Sequence, residues 1–211
     1  MVLANEHFQA AIIANGSFPE NEAAQKILRQ VQHIVCCDGA FDKAMAHGYT
    51  PTAIVGDCDS MKSEDLQLYA DLIHPDKSEA YNDLQKALKY CIQLGLDHIA
   101  LLGCDGLRDD HFIANISIMA TYSERLDLVM LTNNGIFHVI HHTAQLEATP
   151  GQQVSIFCKD ENLPLTFHGL KYPVTKRCFK YFWEGSLNEV AETPFTIETH
   201  GSGTVLVYFP F

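Results

Sequence analysis

The segment AIVGDCDS, residues 53–60, joins a continuous apolar run to a pair of aspartates across a single glycine. An apolar run without polar alternation is typical of a strand that is covered on both faces in a parallel sheet. Asp57 and Asp59 therefore follow the carboxyl end of a predicted buried strand. Ligands of open parallel sheets bind outside the carboxyl ends of the strands. The segment predicts an α/β domain with acidic residues at its ligand-binding edge.

The same strand pattern recurs on both sides of this segment, and helical patterns separate several of the strands. The other apolar runs are Ala10–Ala14, Ile34–Cys37, Leu72–His74, His98–Leu102 and Leu128–Leu131. Between them, apolar residues recur at helical spacing from Ala24 to Val31 and from Leu84 to Ile92. Strands and helices in alternation predict a doubly wound, mostly parallel sheet.

The chain changes character at Asn133-Asn134-Gly135, which is a turn signal. Beyond it, short β-prone runs replace the helical spacing and are separated by prolines and glycines. The runs are Phe137–His141, Gln153–Phe157, Phe195–Glu198 and Thr204–Phe209, and the interruptions are Pro150-Gly151, Pro164, Gly169 and Gly201-Ser202-Gly203. We therefore expect an α/β domain over residues 1–134 and a smaller, sandwich-like all-β domain over residues 135–211.

The composition argues against several classes of partner. The chain has 26 acidic and 14 basic residues, whereas nucleic-acid binding needs a basic surface. No apolar run approaches the roughly 20 residues that span a bilayer, and the first residues, MVLANEHFQA, do not resemble a signal peptide. The seven cysteines lack zinc-site or C-x-x-C spacing, which predicts reduced thiols. We expect a soluble, cytoplasmic protein that binds neither nucleic acid nor membrane.

Carboxylates follow several of the predicted strands within a few residues. They are Asp38, the pair Asp57 and Asp59, Asp76 and Asp105. Acids gathered at one edge repel one another unless a cation lies among them. Two carboxylates at the Asp57-x-Asp59 spacing can both reach one Mg²⁺ ion, which prefers oxygen ligands. The alternative is an acidic turn that caps the helix beginning near Ser60 or Ser63.

Asn82 and Asp83 stand at the start of the helical stretch that follows. In a purely structural interpretation, Asn82 is the N-cap and Asp83 is an acid that interacts favourably with the helix dipole. As part of a site, Asp83 would be a third carboxylate at the mouth of the crevice.

A second polar segment, LGCDGLRDDH at residues 102–111, precedes an apolar helix. It is neither a Walker A loop nor a G-x-G-x-x-G motif, yet its glycines, helix N-terminus and Arg108 suit phosphate binding. His111 and Asn115 are one helical turn apart and can face the same site. The alternative is a capped helix that carries a surface arginine and a hydrogen-bonded histidine.

Two other groups of residues give weaker signals. His138, His141 and His142 resemble metal ligands, but a strand would place only two of them on one face and no Cys or Glu partner is close in sequence. The run Tyr181-Phe182-Trp183 is compatible with core packing and with a stacking surface for an aromatic ligand.

Taken together, the order and spacing of these segments resemble the thiamine pyrophosphokinase family. The matching motifs are Cys37-Asp38-Gly39-Ala40, residues 51–60 (PTAIVGDCDS), residues 82–88 (NDLQKAL), Gly103-x-x-Gly106-x-Arg108-x-Asp110-His111 with Asn115, residues 169–172 (GLKY) and residues 185–189 (GSLNE). The stretch before Asp83 departs from the family pattern, with Asn82 in place of a threonine. The resemblance covers nearly the whole chain.

The resemblance implies a homodimer with active sites between the subunits and Mg²⁺-dependent transfer of the pyrophosphoryl group of ATP to thiamine, which releases AMP. It implies that Asp57, Asp59 and Asp83 hold Mg²⁺ and that Asp38 lines the same catalytic site. The implied ATP or phosphate contacts are Gly39, Gly103, Gly106, Arg108, Asp110, His111 and Asn115. The implied thiamine contacts are Ser186, Asn188 and Trp183.

Two rival interpretations stay open at this point. One is another Mg²⁺-dependent phosphotransferase, phosphohydrolase or sugar-nucleotide transferase that uses Asp57-x-Asp59. The other is a non-catalytic protein that binds a nucleotide or thiamine on the same scaffold.

Overall fold

The computed structural model of the chain describes residues 6–211. Residues 1–5, which belong to the predicted α/β domain and to the segment compared with signal peptides, lie outside the described part. The described residues divide into two compact units, His7–Asn133 and Asn134–Phe211 together with Glu6. Within residues 6–211, no helix is both long and apolar enough to cross a membrane.

A parallel sheet forms the centre of the unit His7–Asn133. Its strands are β1 (Ala10–Ile13), β2 (His33–Cys37), β3 (Ala53–Gly56), β4 (Ile73–Pro75), β5 (His98–Leu102) and β6 (Asp127–Leu131). Their order across the sheet is β6-β5-β1-β2-β3-β4, and each neighbouring pair is parallel. The chain therefore builds β2 to β4 on one side of β1 and β5 and β6 on the other. The carboxyl ends of β1 and β5 mark the switch point where such sheets bind ligands.

Helices connect the strands of this unit. They are α1 (Glu22–Gln30), α2 (Phe41–Ala46), α3 (Ser63–Leu68), α4 (Asp83–Gln93) and α5 (Asp109–Tyr122). α4 begins with a capping box, in which Asn82 and Gln85 satisfy each other's backbone N–H groups. The same helix buries Leu84 and Leu88 and packs on β1, β2 and β3. The cap and this packing fix Asp83 at the edge of the sheet.

The second unit consists of two antiparallel sheets around a shared apolar core. Its strands are β7 (Gly135–Ile140), β8 (Ala144–Leu146), β9 (Gln153–Cys158), β10 (Pro164–His168), β11 (Arg177–Cys178), β12 (Asn188–Glu189), β13 (Phe195–Thr199) and β14 (Val205–Pro210). One sheet has the order β12-β9-β14-β7 and the other β11-β10-β13-β8. Val207 and Phe209 of the first sheet and Phe195 and Ile197 of the second belong to one buried cluster. The parallel sheet and this sandwich confirm the predicted fold class.

Four strands of the sandwich, β8, β10, β11 and β12, have no counterpart in the sequence-based prediction. From the sequence, we expect Pro164 to separate two strands, whereas β10 begins at that residue. Proline is tolerated at the first position of a strand, where its missing N–H interrupts no ladder. β11 and β12 have two residues each, which is too short for an alternating pattern to be recognised.

Candidate active site

Carboxylates that follow β2 and β3 converge at one point of the sheet edge. Cys37 lies opposite Val55 in the parallel register, so Asp38 and Asp57 leave the sheet from neighbouring strands. One oxygen each of Asp38, Asp57 and Asp59 lies within 4.8 Å of the others. Asp38 is buried, whereas Asp57 and Asp59 are exposed. These three residues are the carboxylate cluster.

Asp38 ties the two loops of the cluster together. Its Oδ1 accepts a hydrogen bond from the Gly39 N–H at 2.7 Å, and its Oδ2 accepts one from the Cys58 N–H at 2.9 Å. Cys58 has a φ of 66°, a left-handed conformation that is uncommon outside glycine. A Cβ on Gly56 would lie 2.5 Å from the Asp38 carboxyl carbon. Glycine is therefore required at position 56 because the Asp38 side chain packs directly against the backbone.

Asp57 and Asp59 do not act as helix caps. α3 begins after Lys62, and no side chain makes a capping hydrogen bond there. Asp57 instead accepts a hydrogen bond from the Asp59 N–H at 3.2 Å, which stabilises the turn between them. Both carboxylates lie in the cluster at the sheet edge, as the metal-site interpretation requires.

The cluster is electrostatically suited to a cation. Burial, assisted by the charge of Asp83, raises the pKa of Asp38 to about 6, although its two backbone hydrogen bonds oppose the shift. The backbone hydrogen bond from Asp59 lowers the pKa of Asp57. Three carboxylates form an all-oxygen donor set, which fits a hard divalent cation such as Mg²⁺.

Within residues 6–211, the carboxylate cluster is the only group of three or more His, Cys, Asp or Glu side chains close enough to share a metal ion. His138, His141 and His142 form no such group in that part of the chain. His138 is buried, and its burial lowers its pKa to about 4. The structure therefore gives no support to the zinc-site interpretation of these histidines.

Asp83 stands beside the cluster and is held by a lysine. Its Oδ1 accepts a hydrogen bond from Lys86 Nζ at 3.0 Å, one helical turn along α4. Its charge acts on Asp38 closely enough to raise the pKa of that residue. The structure thus places Asp38, not Asp83, in the closest group of three, and a metal contact by Asp83 stays a prediction.

A cavity of about 510 Å³ lies at the switch point of the sheet. Its walls come from the segments that follow β1 and β5 and from the first turns of α4 and α5. Four of the predicted site residues line it, namely Asp83, Arg108, His111 and Asn115. Its volume falls in the usual range for small-molecule sites, about 300–1,000 Å³. Asp83 lines this cavity, and its charge also acts on Asp38 of the carboxylate cluster.

The other residues predicted to contact ATP or its phosphates do not line this cavity. Gly39, Gly103, Gly106 and Asp110 are not among its lining residues. Gly103 has a φ of 64°, and a Cβ there would lie 2.6 Å from the Ala14 carbonyl oxygen. It therefore lets the segments after β5 and β1 approach each other. Asn115 has a similar role, because its Nδ2 donates to the Cys104 carbonyl oxygen at 2.9 Å.

Arg108 is paired within its own loop. Its Nε and Nη2 donate to the two carboxylate oxygens of Asp110 at 3.0 and 2.6 Å. Both side chains are largely exposed, at 65% and 63%. Exposed pairs contribute little to stability, so the guanidinium can exchange Asp110 for a phosphate at small cost.

Two lysines at this edge were not identified from the sequence. Lys43 of α2 donates to the Asn15 carbonyl oxygen, to Asn15 Oδ1 and to the Gly16 carbonyl oxygen at 3.0, 2.8 and 2.8 Å. It thereby holds the loop after β1, which lines the cavity. No local pattern relates residue 43 to residue 15, because the contact forms only when β1 and β2 pair. Lys86 differs, since its spacing of three from Asp83 is visible in the sequence.

The predicted thiamine contacts lie in the second unit. Ser186 and Asn188 line a cavity of about 370 Å³. Asn188 is buried; its Oδ1 accepts a hydrogen bond from the Tyr172 N–H, and its Nδ2 donates one to the Tyr172 carbonyl oxygen. Trp183 does not line this cavity; it is 68% exposed and stacks on Tyr181 with a centroid distance of 5.8 Å. The structure therefore brings Ser186 and Asn188 together and leaves Trp183 on the surface.

A doubly wound sheet with a cavity at its switch point and carboxylates beside it is the arrangement of a nucleotide-binding α/β enzyme. Comparison with protein families agrees with this class. Residues 24–130 match the model of the thiamin pyrophosphokinase catalytic domain, and residues 135–208 match the model of the thiamin pyrophosphokinase substrate-binding domain. The chain therefore belongs to the thiamin pyrophosphokinase family, which confirms the resemblance and the predicted enzyme class.

Solved structures agree with the fold. The thiamin pyrophosphokinase of Geobacillus thermodenitrificans is 21% identical, with a TM-score of 0.78 over 96% of this chain and 97% of that one. That of Candida albicans is 18% identical, with a TM-score of 0.80 over 97% and 89%. The yeast enzyme is 16% identical, with a TM-score of 0.77 over 100% and 89%. No curated protein sequence matches the chain.

In the metal-free protein, raising the pH from 4 to 7 should remove a stabilising contribution of Asp38. The pKa of Asp38 is about 6 in the folded chain, against an ordinary value of 3.8. Because the folded state holds this proton more tightly, the contribution is complete below pH 3.8 and is lost as the pH rises through 6. We expect a loss on the order of 1–3 kcal/mol, measured by urea unfolding in EDTA.

The Asp38→Asn variant isolates this effect, because it lacks the titrating group. The free energy of unfolding of the wild type minus that of the variant should decline between pH 4 and pH 7. A difference that is independent of pH would contradict the raised pKa.

Proposed function

We propose that this chain transfers the pyrophosphoryl group of ATP to the hydroxyl of thiamine in a Mg²⁺-dependent reaction that yields thiamine diphosphate and AMP. The observation that carries the proposal is the carboxylate cluster beside the switch-point cavity in a chain of this family. Phosphoryl-type transfer depends on positioning and charge neutralisation more than on covalent chemistry. Carboxylates, helix termini and an arginine at one edge meet these needs.

Asp57, Asp59 and Asp38 would hold the divalent cation, and Asp83 stands next to them. When bound, Mg²⁺ supplies positive charge to the phosphate oxygens and lowers the repulsion against an incoming nucleophile. The chain itself fixes the ligands. Backbone N–H groups orient both oxygens of Asp38, and the capping box of α4 sets the position of Asp83.

We infer that ATP occupies the cavity of about 510 Å³. The N-terminus of α5 supports phosphate binding there, because its first backbone N–H groups and the helix dipole favour negative charge. Arg108 would leave Asp110 for a phosphate oxygen, and His111 would contact the nucleotide from the same turn. Gly39, Gly103, Gly106 and Asn115 would act by shaping the loops.

We infer that residues 1–134 form the catalytic domain and that residues 135–211 bind thiamine and dimerise. Support for the thiamine site comes from the second cavity, which Ser186 and Asn188 line together with aromatic residues such as Phe179. Trp183 would stack on the substrate from the surface. In the proposed homodimer, each active site lies between two subunits.

A cytoplasmic location is part of the proposal. All seven cysteines lie within residues 6–211 and are free thiols, five of them buried. Free thiols persist in a reducing compartment. The net charge of -12 argues against nucleic acid as a partner.

Product analysis distinguishes the proposed reaction from its rivals. The pure chain should convert ATP and thiamine into equal amounts of AMP and thiamine diphosphate, and only when Mg²⁺, ATP and thiamine are all present. Separation of the nucleotide products by chromatography measures this. Inorganic phosphate formed without thiamine would indicate a hydrolase, and binding of ATP or thiamine without turnover would indicate a sensor.

Asp57→Asn and Asp59→Asn should each lower kcat on the order of 100-fold or more, because each removes a negative charge that positions the cation. Urea unfolding should show that both variants stay folded. Asp42→Asn is a matched control, since Asp42 is an exposed acid of α2 that pairs with Lys62 on the surface. Near-normal kcat in both cluster variants would remove the cluster from the reaction.

A further inference from the structure

Lys86 is a buried cation at the acidic edge of the α/β unit. Its side chain is 5% exposed, although it lies on a helix that has a solvated face. Lysine is almost never fully buried unless it is paired, because removing an ammonium from water is costly. The position of Lys86 therefore requires a compensating negative charge.

Three acids from three different segments provide that charge. Lys86 Nζ donates to Asp83 Oδ1 at 3.0 Å at the start of α4. Asp57 follows β3 and Asp76 follows β4, and both act on the same ammonium. The hydrogen bond to Asp83 and the charges of the nearby acids compensate the buried ammonium.

The same acids belong to the proposed metal site or adjoin it. Asp57 is a member of the carboxylate cluster, and Asp83 raises the pKa of Asp38. Lys86 thus shares its partners with the cluster, although it is not a ligand in the cluster. The charges of Asp83, Asp57 and Asp76 act on its ammonium, and Asp57 in turn belongs to the cluster with Asp38 and Asp59.

We propose that Lys86 is a positioning residue whose ammonium is the internal counter-cation of the carboxylate cluster. It orients Asp83 and supplies, among Asp57, Asp76 and Asp83, the positive charge that a second divalent cation would otherwise provide. The site consequently takes one divalent cation per chain. This inference rests on the proposed function, since it assumes that the cluster binds a divalent cation.

Removal of this charge has two opposite consequences. The affinity of the cluster for a divalent cation should rise, because the repulsion between that ion and the ammonium is lost. At a separation of ~6 Å, the loss of a unit charge changes the affinity for a divalent ion about 10-fold even at the dielectric constant of water. Turnover should fall instead, because Asp83 is no longer oriented and tighter ground-state binding does not lower the barrier.

The test is a titration of the full-length, ATP-free chain with Mn²⁺, with free Mn²⁺ followed by its EPR signal. The wild type should bind one Mn²⁺ per chain. Lys86→Met keeps the apolar stem, and Lys86→Gln keeps a hydrogen-bond donor; both lack the charge and should bind Mn²⁺ about 10-fold more tightly or take a second ion. Lys86→Arg should stay within about twofold of the wild type.

Lys89→Met is the matched control, because it removes one positive charge from the same helix. Lys89 lies over the Tyr81 ring at 3.7 Å, and its replacement should leave Mn²⁺ binding within about twofold of the wild type. In steady-state assays, kcat should fall about 10-fold or more in Lys86→Met and recover in Lys86→Arg. A residue that only fills space would not combine tighter Mn²⁺ binding with a lower kcat when it is replaced.

The possible outcomes distinguish a failure of the proposed metal site from a failure of the proposed role of Lys86. A wild type that binds no Mn²⁺ would contradict the metal site and with it the proposed function. A wild type that binds two ions with similar affinity would overturn the role of Lys86, even if its variants failed to fold. Unchanged Mn²⁺ affinity in folded Lys86→Met and Lys86→Gln would overturn it as well.

Discussion

The site depends on one buried carboxylate that accepts hydrogen bonds from two loops. Asp38 bonds to the Gly39 N–H in its own loop and to the Cys58 N–H in the next, which joins the ends of β2 and β3. These bonds place the loop of Asp57 and Asp59 and require the absence of a side chain at Gly56. One side chain therefore sets the shape of the sheet edge and gathers its negative charges.

Gathering these charges is unfavourable without a cation, and the chain provides only part of the compensation. Burial and the charge of Asp83 raise the pKa of Asp38 to about 6. Lys86 offsets some of the repulsion from inside the fold. The surplus negative charge that remains is a physical reason for a divalent cation to bind. Stability is thus given up at the point where we propose that the reaction takes place.

Much of the α/β unit could be predicted from the sequence, because buried parallel strands are continuous apolar runs and carboxylates follow them within a few residues. The N-cap Asn82 and the acid Asp83 after it were visible as well, because they directly precede a stretch of helical spacing. Contacts between distant loops were not, as Lys43 with the loop after β1 illustrates. In the sandwich, strands of two residues leave no pattern in the sequence. The side chain of Asn188 forms hydrogen bonds with the backbone of Tyr172, and only the folded structure shows this contact.

The central claim is that Asp38, Asp57 and Asp59 form one divalent-cation site at the switch-point edge. Anomalous scattering from crystals of the full chain grown with Mn²⁺ tests this claim most directly. We expect a peak within direct coordination distance of Asp57 and Asp59 and beside Asp38. A strong peak elsewhere, with the cluster free of anomalous density at saturating Mn²⁺, would contradict the account.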